Sequence, residues 1–120
     1  MGNRREIIWV GDSLKILQGF PEDIKDEIGY ALYLAQNNEN PTNTKQLKGI
    51  KPAVIEIIAS DGSGTYRAVY TLKISEIIYV LHCFQKKSKR GIKTPQQEVE
   101  LIKQRLRQAE VIEKVKGVNL

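Results

Sequence analysis

The chain is poor in several residue types that commonly carry function. Its 120 residues include one cysteine, one histidine, one tryptophan and four prolines. A lone Cys83 cannot close an internal disulfide, and with a single His in the chain a structural zinc site has too few ligands. Cys83 lies in an apolar run, so a buried and chemically idle thiol is expected. Asp12, Glu56, Asp61 and Glu76 fall in different segments, and no pair of them converges as a two-metal nuclease requires. No metal and no cofactor are expected. Long hydrophobic runs are missing too. The opening "MGNRREIIWVGDS" has only four apolar residues in a row, too few for a signal peptide or a membrane span. Arg5 and Glu6 also break the pattern that myristoylation at Gly2 would need. A cytoplasmic protein without membrane contact is expected.

What is present describes one globular domain over residues 1–120. The hydrophobic fraction is 41% and the charged fraction 28%, a balance that can build a core without metals or disulfides. The net charge of +5 is unevenly placed. Residues 1–80 hold nine Lys/Arg against ten Asp/Glu, whereas residues 81–120 hold ten against four. Such a basic C-terminal third points to a polyanionic partner, nucleic acid or an acidic protein, or to a solvated tail.

Periodicity supplies the elements. "EIIWV" (Glu6 to Val10) reads as a short strand. Asp12 can cap a helix over "SLKILQGF", with Gly19 as its stop. Pro21 starts a second helix in which Ile24, Ile28, Ala31, Leu32 and Ala35 recur at helical spacing. "NNENPTNTKQLKG" reads as a polar loop. Three strands follow, "AVIEIIA", "TYRAVYTLK" and "EIIYVLHCF", the first two joined by the turn "SDGSG". Thr94-Pro95-Gln96-Gln97 then supplies a cap and a first turn, and Val99, Ile102, Leu106 and Ala109 mark an amphipathic closing helix. The order β-α-α-β-β-β-α predicts an α+β fold: a small antiparallel sheet with an N-terminal helical hairpin and a C-terminal helix packed on one face.

Alternation along the strands sorts side chains by face. Tyr66, Ala68 and Tyr70, with Ile77, Tyr79, Leu81 and Cys83, suit a core under the helices. Arg67, and on the last strand Ile78, Val80, His82, Phe84 and Lys86, belong to the opposite face. If the two strands are neighbours, Arg67, His82 and Lys86 come together there. The basic block "KKSKRGIK" then extends a cationic patch that begins on the sheet. A purely structural alternative pairs Arg67 with Glu56 on the adjacent strand.

"LKG" (Leu47 to Gly49), "TYRAVY" and "LHCFQKKSKRGIKTPQQEVELIKQRL", in that order, resemble the RelE/ParE superfamily of bacterial toxins, and most closely its HigB-like, phage-derived branch. The resemblance runs from about Glu6 to Ala109. It implies the toxin of a type II toxin–antitoxin system, a ribosome-dependent mRNA endonuclease held in check by a cognate helix-turn-helix antitoxin. It implies metal-free cleavage, in which the ribose 2′-OH attacks the adjacent phosphate. Arg67 would clamp that phosphate, Lys86 matches the basic residue past the last strand, and His82 could transfer protons. Lys48, Lys51, Lys87, Lys89, Arg90 and Lys93 would contact rRNA and mRNA backbone, while Tyr70 and Tyr79 go to the core. The antitoxin is expected on the helical side, over Ile24, Ile28 and Leu32, leaving the active face open. One stretch departs from the pattern: relatives carry basic residues on the strand before the hairpin, where this chain has Glu56 and Ile58. Two other readings stay open, a ParE-like inhibitor of DNA gyrase and a non-catalytic basic interaction module.

Overall fold

The computed structural model describes residues 4–86 and 93–117. Its elements are β1 (Ile7–Trp9), α1 (Ser13–Gln18), α2 (Glu22–Gln36), β2 (Thr44–Leu47), β3 (Val54–Asp61), β4 (Gly64–Ile74), β5 (Ile77–Lys86) and α3 (Gln96–Gly117). The α+β class holds, with three corrections. The five strands run in the order β1-β5-β4-β3-β2, and β1 lies parallel to β5, so the sheet is mixed. The supposed polar loop contains the edge strand β2, whose "TKQL" carries too little apolar signal to be noticed. Edge strands are commonly short and charged, which protects an unpaired edge.

The third correction concerns the layers. Helices cover both faces of the sheet. Leu17 of α1 and Ile24, Ile28, Ala31, Leu32 and Ala35 of α2 pack with Ile57, Tyr66, Ala68, Tyr70, Val80 and Cys83 on one side. Ile102, Leu106 and Ala109 of α3 pack with Val54, Val69, Tyr79, Leu81 and Phe84 on the other. The reason lies in β5, which is apolar on both faces and needs cover twice. On the first side α1 lies on β5 and α2 on β3. They are two helices docked on separate strands, where the sequence suggested a hairpin.

Ile24, Ile28 and Leu32 are all buried. Each contributes about 1.5–3 kcal/mol by leaving water, and none of them can meet an antitoxin. The outward side of α2 instead shows Tyr30 and Tyr33, with the Arg4 guanidinium 5.4 Å above the Tyr33 ring.

A β-bulge sets which residues of β5 face which side. Val69 pairs with His82 but Tyr70 pairs with Val80, so Leu81 is an extra residue. Tyr79 and Leu81 therefore face α3, not the α1/α2 side, and Ile78 and Val80 do the reverse. Beyond the bulge His82, Phe84 and Lys86 lie on the side away from α1 and α2, as expected, but α3 covers that side, where the sequence suggested a face without helices. Arg105 of α3 holds the bulge: its Nη1 donates to the Leu81 and Val10 carbonyls at 3.1 and 3.3 Å. Its Nη2 donates to Asp12 at 2.8 Å. That bond keeps the Asp12 carboxyl below its usual range, and the side chain makes no capping bond to α1. Gly11, at φ +58, fits under Arg105 because a Cβ there would lie 2.5 Å from the guanidinium carbon.

Candidate active site

Four strands contribute to one row of ionisable side chains on the α3 face. Lys45 on β2 stands opposite Glu56 on β3. Glu56 is diagonal to Arg67, whose direct partner on β3 is Ile58. Arg67 in turn faces Phe84 across β4 and β5, which makes both His82 and Lys86 its diagonal neighbours. Diagonal pairs in an antiparallel ladder sit about 7–8 Å apart. The sequence expectation that Arg67, His82 and Lys86 share a face is met.

The row is buried: Glu56 is 0% exposed, Arg67 and His82 4%, and Lys86 6%. A buried carboxylate is tolerable only when its oxygens are satisfied. Arg67 Nη1 donates to Glu56 Oε1 at 2.7 Å, with Lys45 Nζ 3.7 Å from the same oxygen. Thr94, the expected helix cap, sends its hydroxyl to Oε2 at 2.9 Å. The cross-strand pair between Arg67 and Glu56, raised as a structural alternative, is therefore present. It does not saturate the arginine. Among the described residues Arg67 Nε is buried and has no hydrogen-bond acceptor. Lys86 is held below the ordinary lysine range, first by burial and then by repulsion from Arg67 and Lys45, with Glu56 opposing.

His82 has a partner the sequence reading did not foresee. Its Nε2 lies 2.8 Å from Glu98 Oε1 on the first turn of α3, and its ring stacks on Phe84 with centroids 5.2 Å apart. An ionised carboxylate only accepts, so Nε2 is the donor in that bond. In the neutral ring this leaves Nδ1 as the basic nitrogen, and among the described residues Nδ1 is buried without a hydrogen-bond partner. Such a carboxylate fixes tautomer and ring orientation. Glu98 could have been suspected, because it stands four residues before Ile102 on the inward face of α3, an odd place for an acid.

The remaining sequence candidates divide. Lys48 and Lys93 are exposed and line a groove of about 620 Å³ beside β2 and the start of α3. Lys51 is exposed and lines a separate hollow of about 250 Å³ with Arg107. Lys87, Lys89 and Arg90 lie outside the described residues. Lys45 and Lys103 were missed, Lys45 because its strand was hidden in a polar segment. Tyr70 and Tyr79 are core residues as expected, and the Tyr79 hydroxyl donates to Glu113 at 2.6 Å. Burial and that carboxylate push the Tyr79 phenol upward. Cys83 is buried, and burial pushes its thiol up to about 12. Among the described residues no three His, Cys, Asp or Glu side chains cluster as a metal site, and no helix is long and apolar enough to cross a membrane.

With this geometry in view, a family model described as "phage derived protein Gp49-like" matches residues 15–107, which include every residue of the ionisable row. No curated protein matches the chain.

Proposed function

The chain belongs to the Gp49-like family, a toxin family of toxin–antitoxin systems within the RelE/ParE-like superfamily, and from that premise we propose that it is a HigB-type, metal-independent endoribonuclease acting on mRNA at the ribosome. Such a family implies a cognate antitoxin. The observation that carries the reading is the buried Arg67, whose Nε has no acceptor among the described residues, between His82 and Lys86 on one face.

Each group has a task in transesterification. His82, oriented by Glu98, takes the proton of the ribose 2′-OH on Nδ1 once the substrate has displaced the cover over the buried row. The 2′-oxygen attacks the adjacent phosphorus, forming a 2′,3′-cyclic phosphate, and the 5′-oxygen leaves. Arg67 and Lys86 stabilise the charge that gathers on the phosphorane oxygens. Lys86, a stronger acid than an ordinary lysine because of its burial and cationic neighbours, protonates the leaving oxygen. Removing a preorganised donor of this kind typically costs about 10²–10³ in rate.

The test is to express wild type and Arg67→Ala in translating cells and to map transcript ends. New ends within translated mRNA are expected for the wild type and not for the variant; intact mRNA with the wild type sinks the proposal. The bond between Arg67 and Glu56 gives the non-catalytic module its one supporting observation. Growth unaffected by expression would favour that reading.

A further inference from the structure

Glu56 is the member of the buried row that the reaction does not use, and it stands where an anion is best held. Arg67 Nη1 donates to its Oε1 at 2.7 Å, Lys45 Nζ lies 3.7 Å from the same oxygen, and the Thr94 hydroxyl donates to Oε2 at 2.9 Å. Two cations and a hydroxyl converging on one buried group describe an anion site, and here the chain fills it with its own carboxylate. We infer that the site is autoinhibited: Glu56 acts as an internal stand-in for the substrate phosphate, and Thr94 is the latch that keeps it on Arg67. The inference rests on the proposed reaction for the identity of that phosphate, and its evidence is the filled site itself.

A carboxylate and a phosphodiester compete for one guanidinium, because each offers a pair of anionic oxygens. They cannot share it, since like charges repel strongly in a site that excludes water. Binding at Arg67 therefore requires Glu56 to turn away, and Thr94 opposes that step. The run Thr94-Pro95-Gln96-Gln97 suits a helix cap, yet the Thr94 hydroxyl is given to Glu56, 38 positions back. The rest of α3 is fixed independently, by buried Ile102, Leu106 and Ala109 and by the bonds of Arg105. The bond between Glu98 and His82 lies one turn further on and need not break when Thr94 lifts. Apparent affinity is the intrinsic affinity scaled by the open fraction, so the latch weakens binding without altering the chemistry that follows. A merely structural ion pair makes the opposite forecast, because its loss loosens the row and weakens binding.

The probe is a fluorescent trinucleotide of 2′-O-methyl RNA, which cannot supply the attacking hydroxyl, and its affinity is read by anisotropy. Glu56→Gln keeps the shape and removes the competing charge. Binding should tighten about tenfold, as it does when roughly one wild-type molecule in ten is open. Thr94→Val alters no charge and should tighten binding about threefold. That gain should vanish when Glu56 is already Gln, because the two changes act on one latch. Glu100→Gln removes an exposed charge from the same end of α3 and should gain less than about twofold. In the cleavage assay Thr94→Val should cut faster at limiting mRNA and no faster at saturation. Thermal melts establish that each variant is folded, and if Glu56→Gln is not, Thr94→Val alone decides. Unchanged or weaker binding by folded Thr94→Val would overturn the latch, as would a Glu100→Gln gain equal to that of Glu56→Gln. The reaction is scored separately. If wild type cuts mRNA while neither latch variant binds tighter, the latch is wrong and the reaction stands. If wild type cuts nothing but both variants bind tighter, the latch stands and the reaction is wrong.

Discussion

The two faces of this sheet are built from alternate residues of the same strands, yet they bury opposite kinds of chemistry. Toward α1 and α2 the sheet presents Ile57, Ala59, Ala68, Tyr70, Val80 and Cys83, and the cover is apolar. Toward α3 it presents an apolar half, Val54, Val69, Tyr79 and Leu81, and then a charged row that ends under the first turn of the helix. On the first face stability comes from area removed from water. On the second it depends on partners, because Glu56, Arg67, His82 and Lys86 are as buried as core residues and tolerable only in company. One face is a foundation that many residues share. The other concentrates its stability in a few bonds, and those bonds are also the candidate machinery.

That contrast can be broken in order of expected effect. Glu56→Ala strands Arg67 as a buried charge and should cost about 3–5 kcal/mol in urea unfolding. A loss below about 1 kcal/mol would show that water already compensates the row. Ile28→Ala on the apolar face should cost about 3 kcal/mol through lost burial and a residual cavity, without altering RNA binding at matched folded fraction. Glu98→Gln keeps the shape but removes the acceptor charge beside His82. It should lower cleavage roughly tenfold, about 1.4 kcal/mol, and should move the pH optimum, which a merely structural contact would leave in place.

The fourth test uses alkali. Cys83 has an ordinary thiol value of 9.0 that the fold raises to about 12. Between those values the unfolded chain has lost the proton that the native chain retains. Stability therefore falls as pH rises through that window, by about 1.4 kcal/mol at pH 10. Cys83→Ala should flatten that limb by the same amount in paired denaturation curves. The smallest effect is expected outside both faces. Tyr30→Ser, at a site 62% exposed on α2, should shift stability by less than about 0.5 kcal/mol, and a larger loss in thermal melts would mean that this ring supports the core.

Much of this was legible in the residues. The spacing of Ile24, Ile28, Ala31, Leu32 and Ala35 fixed the inward side of α2, and Val99, Ile102, Leu106 and Ala109 fixed that of α3. Strict alternation on β4 placed Arg67 correctly. What was not legible arose from tertiary context. A four-residue strand of mostly polar residues looks like a loop until a neighbour offers it a ladder. The side of the sheet on which a helix lands depends on connections that periodicity does not encode. Tyr79 and Leu81 were assigned to the wrong side because an extra residue leaves no mark in a run that is apolar throughout. The inward position of Glu98 was legible from its spacing to Ile102, but its pairing with His82 was not, since that partner lies 16 positions away.

The extra residue at Leu81 has a consequence for how such a chain can change over generations. Because strand side chains alternate, loss of one codon there would bring the two stretches of β5 back into a single phase. In the shortened strand Ile78, Val80 and Cys83 would stay toward α1 and α2, and His82, Phe84 and Lys86 toward α3, so both stretches would keep their faces and only the side chain and carbonyl of Leu81 would be lost. No member of the site would have been substituted. An in-frame deletion of Leu81 is thus a one-step route to a regular strand that keeps its row of charges, and Arg105 would be left with the Val10 carbonyl and Asp12 as its anchors.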